Sequence, residues 1–107
     1  MASKLEDALL GQIVQAGIVP VIREFVAIKG RRFRWDFWFP DDNLLVEVQG
    51  GVWGKGGHST GAGITKDCEK LNLATIAGYR QLHVTGNQIK GGEALGWIQE
   101  AIAANKW

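Results

Sequence analysis

The run from Arg31 to Phe39, RRFRWDFWF, alternates between aromatic side chains and mostly charged ones. A period of two is typical of a β-strand with one buried face, so we predict a strand with Phe33, Trp35, Phe37 and Phe39 on its inner side. The sequence PDDN that follows predicts a tight turn, and Leu44 to Gln49 then predicts a second, more apolar strand. The two predicted strands, Arg31–Phe39 and Leu44–Gln49, therefore form an antiparallel hairpin, and we expect the rest of the chain to pack against it.

Helices and strands alternate along the remainder of the chain. Ser3 and Glu6 have the spacing of a helix N-cap and its capping box, and Gly17 predicts the end of that helix. Two hairpin connections predict antiparallel strands, while a helix between the third and fourth strands predicts a parallel pair. We therefore expect an α/β fold of order αβββαβα in one domain, residues 1–107, with a mixed sheet flanked by helices. The other predicted elements are an extended segment at Val21–Ile28, a helix at Ile64–Ala77, a strand at Tyr79–Thr85, a turn at Gly86–Asn87 and a helix at Glu93–Ala104.

Composition excludes several classes of protein. No run approaches the ~18 consecutive apolar residues of a membrane span, and the N-terminus lacks the apolar stretch of a signal peptide. The single cysteine, Cys68, excludes an internal disulfide framework and a cysteine-based zinc site. These features predict a cytoplasmic protein with no membrane segment. The net charge of +1 says nothing about partners.

Glycine makes up half of the segment from Gly50 to Gly63, GGVWGKGGHSTGAG. A P-loop would need G-x-x-x-x-G-K-[ST], and here the glycine spacing is one residue short and Gly56 follows Lys55. A nucleotide-binding domain is therefore disfavoured. Glycine still allows close approach of the backbone to a phosphate, so we predict a substrate-contacting segment. It carries the candidate binding residues Trp53, Lys55, His58 and Ser59; His58 could also assist proton transfer or be a plain surface residue.

Two acids lie on the two strands of the hairpin. Asp36 and Glu47 can meet across the turn, and Gln49 shares the face of Glu47 while Val48 points into a core. Carboxylates that face each other repel unless a cation lies between them, and Mg²⁺ accepts one or two carboxylates together with phosphate and water oxygens. The alternative is that both acids are solvent-facing polar residues.

These motifs together resemble the PD-(D/E)XK nuclease superfamily. The resemblance is carried by RRFRWD, EVQGG, GxGGHSTGxG, DCEKLNLA and GYRQLHVT, between Arg31 and Thr85. Within the superfamily the chain is most similar to small phage-type endonucleases of the Holliday-junction-resolvase, VRR-NUC and very-short-patch-repair kinds. The resemblance implies a restriction-endonuclease-like core.

The same resemblance implies a metal site. Asp36 and Glu47 would hold Mg²⁺, or Mn²⁺ as a substitute, with the backbone carbonyl of Val48 as a further ligand. Glu6 would be the acid that many members carry on the N-terminal helix, although it also fits a purely structural capping box. Glu24 is a weaker alternative for an acid near the site.

One position departs from the superfamily pattern. Gln49 stands where the motif has a lysine, and a neutral amide supplies no cationic stabilisation. Some related enzymes take this lysine from the following helix, and in this chain Lys66 and Lys70 lie four residues apart on one face of that helix. We expect Lys70 to fill the role, then Lys66, then Lys55; the alternative is that all three are solvated surface lysines.

A local basic patch precedes Asp36. Arg31, Arg32 and Arg34 are suited to phosphate contacts, which position DNA without reading its bases. Trp38 or Trp53 could stack on an unpaired base, whereas the apolar faces of Trp35 and Trp97 predict core positions. We expect His83, between Leu82 and Val84, to be structural.

The leading interpretation is a Mg²⁺-dependent endonuclease that hydrolyses DNA at junctions, flaps or nicks, in phage recombination, repair or degradation. Its rival is a non-catalytic DNA-binding or assembly module on the same fold, because the motif lysine is missing. Cutting both strands of a duplex needs two sites, so a homodimer would be natural.

Overall fold

The fold is described here from a computed structural model, for residues 3–49 and 61–104. Four of the predicted site residues, Trp53, Lys55, His58 and Ser59, lie outside these ranges. Within the described ranges no helix is long and apolar enough to cross a membrane.

The described elements form a four-stranded mixed sheet with helices packed against it. The strands have the order β1-β2-β3-β4; β1/β2 and β2/β3 are antiparallel, and β3/β4 is parallel. The predicted α/β fold with a mixed sheet is thus confirmed. The elements are α1 (Lys4–Gln15), β1 (Ile22–Phe25), β2 (Trp35–Phe39), β3 (Leu44–Gln49), α2 (Gly61–Ile76), β4 (Arg80–Thr85), α3 (Gly86–Gly91) and α4 (Glu93–Ala104), with one 3₁₀ turn at Pro40–Asp42.

Local sequence accounts for the start of α1. The Ser3 hydroxyl accepts a hydrogen bond from the Glu6 backbone N–H at 3.1 Å, as an N-cap residue does. Leu9 and Ile13, one turn apart, are the fully buried residues of this helix. The cap and the apolar stripe together fix which face of α1 meets the sheet, and with it the direction of Glu6.

Hydrophobic clusters lie on both faces of the sheet. The larger one joins Phe37, Phe39 and Val46 of the sheet to residues of α1, α3 and α4, such as Ile13 and Ile98. The smaller one joins Trp35 and Leu45 to Ala74 of α2, with further aromatic residues around them. Helix α2 therefore covers the opposite face from the other three helices.

The predicted alternation of β2 is wrong at its N-terminal end. Regular strand begins only at Trp35, and the segment 31–34 is irregular. Trp35 packs in the smaller cluster, whereas Phe37 packs in the larger one. Strand β1 changes direction at the position that faces this change in β2. Glu24, which faces Asp36 in the register, has a φ of 51°. The next residue, Phe25, packs in the smaller cluster with Trp35.

Three smaller expectations are also corrected. The predicted turn at Gly86–Asn87 is the first turn of α3, because Thr85 and Gln88 form a reciprocal capping box there. Helix α2 begins at Gly61 and not at Ile64, and the Thr65 hydroxyl donates to the Gly61 carbonyl at 2.8 Å within that first turn. Trp97 was expected in the core but is 39% exposed, because its face of α4 points away from the sheet.

Candidate active site

Asp36 and Glu47 lie at the centre of the sheet, on neighbouring antiparallel strands. The register pairs Phe37 with Val46, so the two acids occupy the next facing positions. Asp36 Oδ2 accepts a hydrogen bond of 2.7 Å from the backbone N–H of Val48. The carboxylate of Asp36 is thereby held at the end of β3 that leads into the glycine-rich segment.

Glu6 reaches the same place from α1. Its carboxyl group lies close enough to that of Asp36 for the two to affect each other's pKa, and Arg23 Nη2 lies 3.4 Å from Glu6 Oε1. Burial first, and then the charge of Asp36, raise the pKa of Glu6 above its ordinary value. Glu6, the predicted helix acid, therefore lies beside Asp36, and its backbone N–H also takes part in the N-terminal cap of α1.

The pKa of Asp36 is raised as well. Burial is the largest cause and the nearby charge of Glu47 adds to it, while the hydrogen bond from Val48 and the charge of Lys70 act in the opposite direction. Three carboxyl groups thus crowd into one region. Such a group of acids favours an added proton or a bound cation.

Lys70 extends from α2 to this acidic group. Its ammonium donates to Glu47 Oε2 at 2.7 Å and to the Arg34 carbonyl at 2.5 Å, and lies 4.7 Å from the centre of the Trp35 ring. The side chain is only 16% exposed. Of the two candidate lysines within the described residues, Lys66 and Lys70, Lys70 is the one that contacts an acid of the site; Lys55 lies outside these residues. Lys66 lines the adjacent cleft but has no ion pair within the described part of the chain.

The donor set is compatible with a hard divalent cation. Glu47 Oε1 is buried without a hydrogen-bond partner among the described residues, so one oxygen of this carboxylate remains available. Within the same residues no group of three or more His, Cys, Asp and Glu side chains is arranged to hold a metal ion. Mg²⁺ needs only one or two carboxylates and completes its shell with water and phosphate oxygens, so Asp36 and Glu47, with Glu6 beside them, fit it. At Val48 it is the N–H that contacts an acid; its carbonyl as a ligand stays a prediction.

The side chain of Gln49, which is neutral, contacts His83 on the neighbouring strand β4. Its Nε2 lies 3.1 Å from His83 Nδ1, and His83 Nε2 lies 3.4 Å from Gln81 Oε1. Gln81 Oε1, which also accepts from Trp35 Nε1 at 3.3 Å, is an amide oxygen without a proton to donate, so the contact assigns the proton of His83 to Nε2. Nδ1 then accepts from Gln49. His83, expected to be structural, therefore belongs to the edge of the site, a long-range contact that no local pattern reveals.

A cleft of about 390 Å³ opens beside the acids. Arg32 and Arg34 line it, whereas Arg31 does not and instead pairs with Glu69 at 2.5 Å. A second cavity of about 310 Å³ lies between β3, β4 and α2. Asp67, which the sequence analysis overlooked despite its place between Lys66 and Lys70, lines both.

Trp38 lies in the aromatic cluster and not in the cleft. Its ring stacks on Phe25 with centroids 4.8 Å apart and meets the edge of Tyr79 at 5.2 Å. These contacts give Trp38 a packing role, so of the two tryptophans considered for base stacking only Trp53, outside the described ranges, is left as a prediction.

Glu24, the weaker alternative among the predicted acids, lines the cleft in an unusual conformation. A φ of 51° places it in the left-handed region, which costs a residue with a Cβ atom about 1–2 kcal/mol. Its carboxylate pairs with Arg34 at 2.8 Å, but the two side chains are 39% and 62% exposed. An exposed pair of this kind contributes about 0–1 kcal/mol, less than the strain.

Comparison with known proteins supports the fold assignment. No protein-family model matches the chain, and no curated protein matches its sequence. Among solved structures, the chain is similar to the catalytic domain of the homing endonuclease I-Bth0305I, with a TM-score of 0.76 over 99% of this chain and 100% of that one. Identity is 19%, so the likeness shows that the chain has the fold of a nuclease catalytic domain.

Proposed function

We propose that this protein is a metal-dependent endonuclease of the PD-(D/E)XK type that hydrolyses DNA phosphodiester bonds. The observation that carries the proposal is the contact of Lys70 with Glu47 at 2.7 Å, next to Asp36 and at the rim of an arginine-lined cleft. Two acids that can hold a divalent cation and an ammonium that can stabilise negative charge on a phosphate suit hydrolysis of a phosphodiester. The shared fold with a homing endonuclease catalytic domain adds support.

Asp36 and Glu47 would hold the divalent cation, with Glu6 beside Asp36. Mg²⁺ bound there would supply activation of water and neutralisation of charge on the scissile phosphate. Lys70 would stabilise the negative charge that develops on the phosphate, in place of the lysine that Gln49 replaces. A low exposure of 16% strengthens this electrostatic effect, because little water screens the ammonium.

The arginines of the cleft would position the DNA backbone. Arg32 and Arg34 line the same cavity as Asp36, so a phosphate bound by them would lie near the acids. Contacts of these arginines with phosphates would position DNA without reading its bases. We therefore propose recognition of DNA structure, such as a junction, flap or nick, by residues 1–107 acting as one domain, in phage recombination, repair or degradation, alone or as a homodimer.

The test is cleavage of a panel of linear, nicked, flapped and four-way DNAs with Mg²⁺, Mn²⁺ or EDTA. Asp36→Asn and Glu47→Gln, which keep shape but lose charge, should abolish cleavage, whereas Glu100→Gln, at an exposed position of α4, should leave it unchanged. Cleavage that continues in EDTA, or in both acid variants, would contradict the proposal.

The rival function is a DNA-binding or assembly module without catalysis. Gln49, bound to His83, is the observation that favours it. Intact DNA affinity together with no cleavage of any substrate and no Mg²⁺ binding by calorimetry would decide for this rival.

A further inference from the structure

Glu24 combines two features that stability does not explain. It takes a left-handed backbone conformation, at φ 51°, that glycine would adopt without strain. Its side chain makes an exposed ion pair that is too weak to offset that strain. Both features occur opposite Asp36 in the β1/β2 pair, at the wall of the cleft.

Arg34, the ion-pair partner of Glu24, has contacts at its guanidinium and at its backbone carbonyl. Glu24 Oε1 lies 2.8 Å from Arg34 Nη1, and the backbone carbonyl of Arg34 accepts from the Lys70 ammonium at 2.5 Å. Arg34 precedes Trp35, whose ring lies under that same ammonium. The guanidinium is therefore paired with Glu24 while the backbone of the same residue is held beside the proposed catalytic centre, although the Arg34 side chain is 62% exposed.

We propose that Glu24 is a positioning residue: it holds the Arg34 guanidinium in the orientation that binds a phosphate of the DNA backbone next to the cleavage site. The inference deepens the proposed function and rests on it for the identity of the ligand. Arg34 keeps further N–H donors after pairing with Glu24, because a guanidinium carries five. Fixing the side chain in advance removes part of the ordering cost of binding.

A positioning role and simple electrostatics predict opposite effects of removing Glu24 on DNA affinity. Glu24 carries a negative charge at the wall of a cleft that would receive a polyanion, so its removal should by itself strengthen DNA binding. A positioning role predicts instead that removal weakens binding, because Arg34 must then be ordered by the DNA.

A double-mutant cycle on DNA affinity tests the proposal. The full chain is titrated with a short fluorescein-labelled flapped duplex in EDTA, where no cleavage occurs. Glu24→Gly, which relieves the strain, and Glu24→Asn, which tolerates the left-handed region without a charge, should each weaken binding about two- to fivefold, within the ~0–1 kcal/mol of an exposed ion pair. In the Arg34→Ala background the same changes should no longer weaken binding and should leave it unchanged or slightly tighter, because only the negative charge of Glu24 then acts on the DNA.

Thermal unfolding and a charge-matched control separate positioning from folding. Glu24→Gly should unfold at the same temperature as wild type or higher, so weaker binding cannot come from lost structure; if it fails to fold, Glu24→Asn decides by the same criterion. Glu100→Gln removes one negative charge far from the cleft and should not weaken binding. Unchanged or tighter binding by both Glu24 variants, or an equal loss in the Arg34→Ala background, would overturn the proposal.

Cleavage assays keep the two proposals distinguishable. A protein that shows the Glu24–Arg34 coupling but cuts no DNA would retain this inference and lose the endonuclease function. A protein that cuts DNA but shows no coupling would lose only this inference, and one that binds no DNA would lose both.

Discussion

The Lys70 ammonium lies 2.7 Å from Glu47 Oε2, although 23 residues separate the two in the chain. Helix α2 brings them together, because it connects the parallel strands β3 and β4 and crosses the face on which Glu47 lies. A cation therefore lies beside Glu47, on the face of the sheet that residue 49 shares, and several tests follow from this arrangement.

Substitution of Lys70 should impair catalysis more than folding. We expect Lys70→Ala to lower kcat about a hundred- to a thousandfold, as loss of one preorganised electrostatic group does, with a smaller loss in Lys70→Arg. Lys66→Ala, four residues away on the same helix, should have only a slight effect because Lys66 contacts no acid of the site in the described residues. Single-turnover cleavage rates provide the measurement.

A second-site change offers the control. Gln49→Lys in the Lys70→Ala background should recover part of the rate, because residue 49 shares the face of Glu47. Equal losses for Lys66→Ala and Lys70→Ala would contradict the assignment.

The ionised carboxylates of Glu6 and Asp36 should destabilise the folded protein at neutral pH in the absence of metal. The pKa values of Glu6 and Asp36 are raised in the folded state, so stability falls as pH rises through them and the ions form. Glu6→Gln and Asp36→Asn should therefore raise Tm by a few degrees at neutral pH and have little effect in acid, where both carboxyl groups are protonated in either state. Calorimetric scans across this range, in EDTA, measure the difference.

Two further scans serve as controls. Asp36→Ala should lower stability by about 1–3 kcal/mol, because the Val48 N–H loses its acceptor. Mg²⁺ should raise the Tm of wild type and not that of Asp36→Asn. A lower Tm for Asp36→Asn at neutral pH would refute the destabilising role.

His83 should titrate below its ordinary pKa of 6.5. Loss of solvent is the first cause that lowers the pKa of His83 and Lys70 the second, whereas Asp67 raises it. We expect Lys70→Met to raise this pKa and Asp67→Asn to lower it further, as followed by NMR of the imidazole protons. Because the folded pKa is depressed, the related stability is complete above about pH 6.5 and is lost as pH falls. If Lys70→Met and Asp67→Asn both raised the pKa of His83, or both lowered it, the result would contradict this arrangement of charges.

The arginines near the cleft should differ in their contribution to DNA binding. Arg32 lines the cleft and has no ion pair within residues 3–49 and 61–104. Arg32→Ala should weaken binding of all sequences alike and reduce the slope of log K against log salt by about one. Arg31→Ala should change the slope less, since Arg31 is outside the cleft, pairs with Glu69 and stacks 4.8 Å from the Phe33 centroid. Equal slopes for the two variants would argue against the cleft as the DNA site.

The sequence predicts the fold well wherever the local pattern agrees with tertiary packing. The hairpin, the parallel crossover and the placement of Asp36 and Glu47 all follow from side-chain period and connection length. Lys70 follows from helical spacing combined with the superfamily resemblance.

Other features escape prediction because distant contacts override local preference. A glutamate rarely adopts a positive φ, so nothing in the sequence around Glu24 indicates the turn of β1 that accompanies the split between Trp35 and Phe37. The contact between Gln49 and His83 joins two strands that are remote in sequence. Thr85 and Gln88 do have capping-box spacing, but the glycine between them favoured a turn.

Supplying the ammonium from a helix changes how it can be adjusted. A strand can shift only in whole residues, and a slip of one residue would carry a lysine at position 49 to the opposite face of the sheet. A helix can slide or rotate by fractions of an ångström as its packing changes. The distance from Lys70 to Glu47 is therefore a continuously tunable quantity, sensitive to substitutions along α2 that never touch the acids.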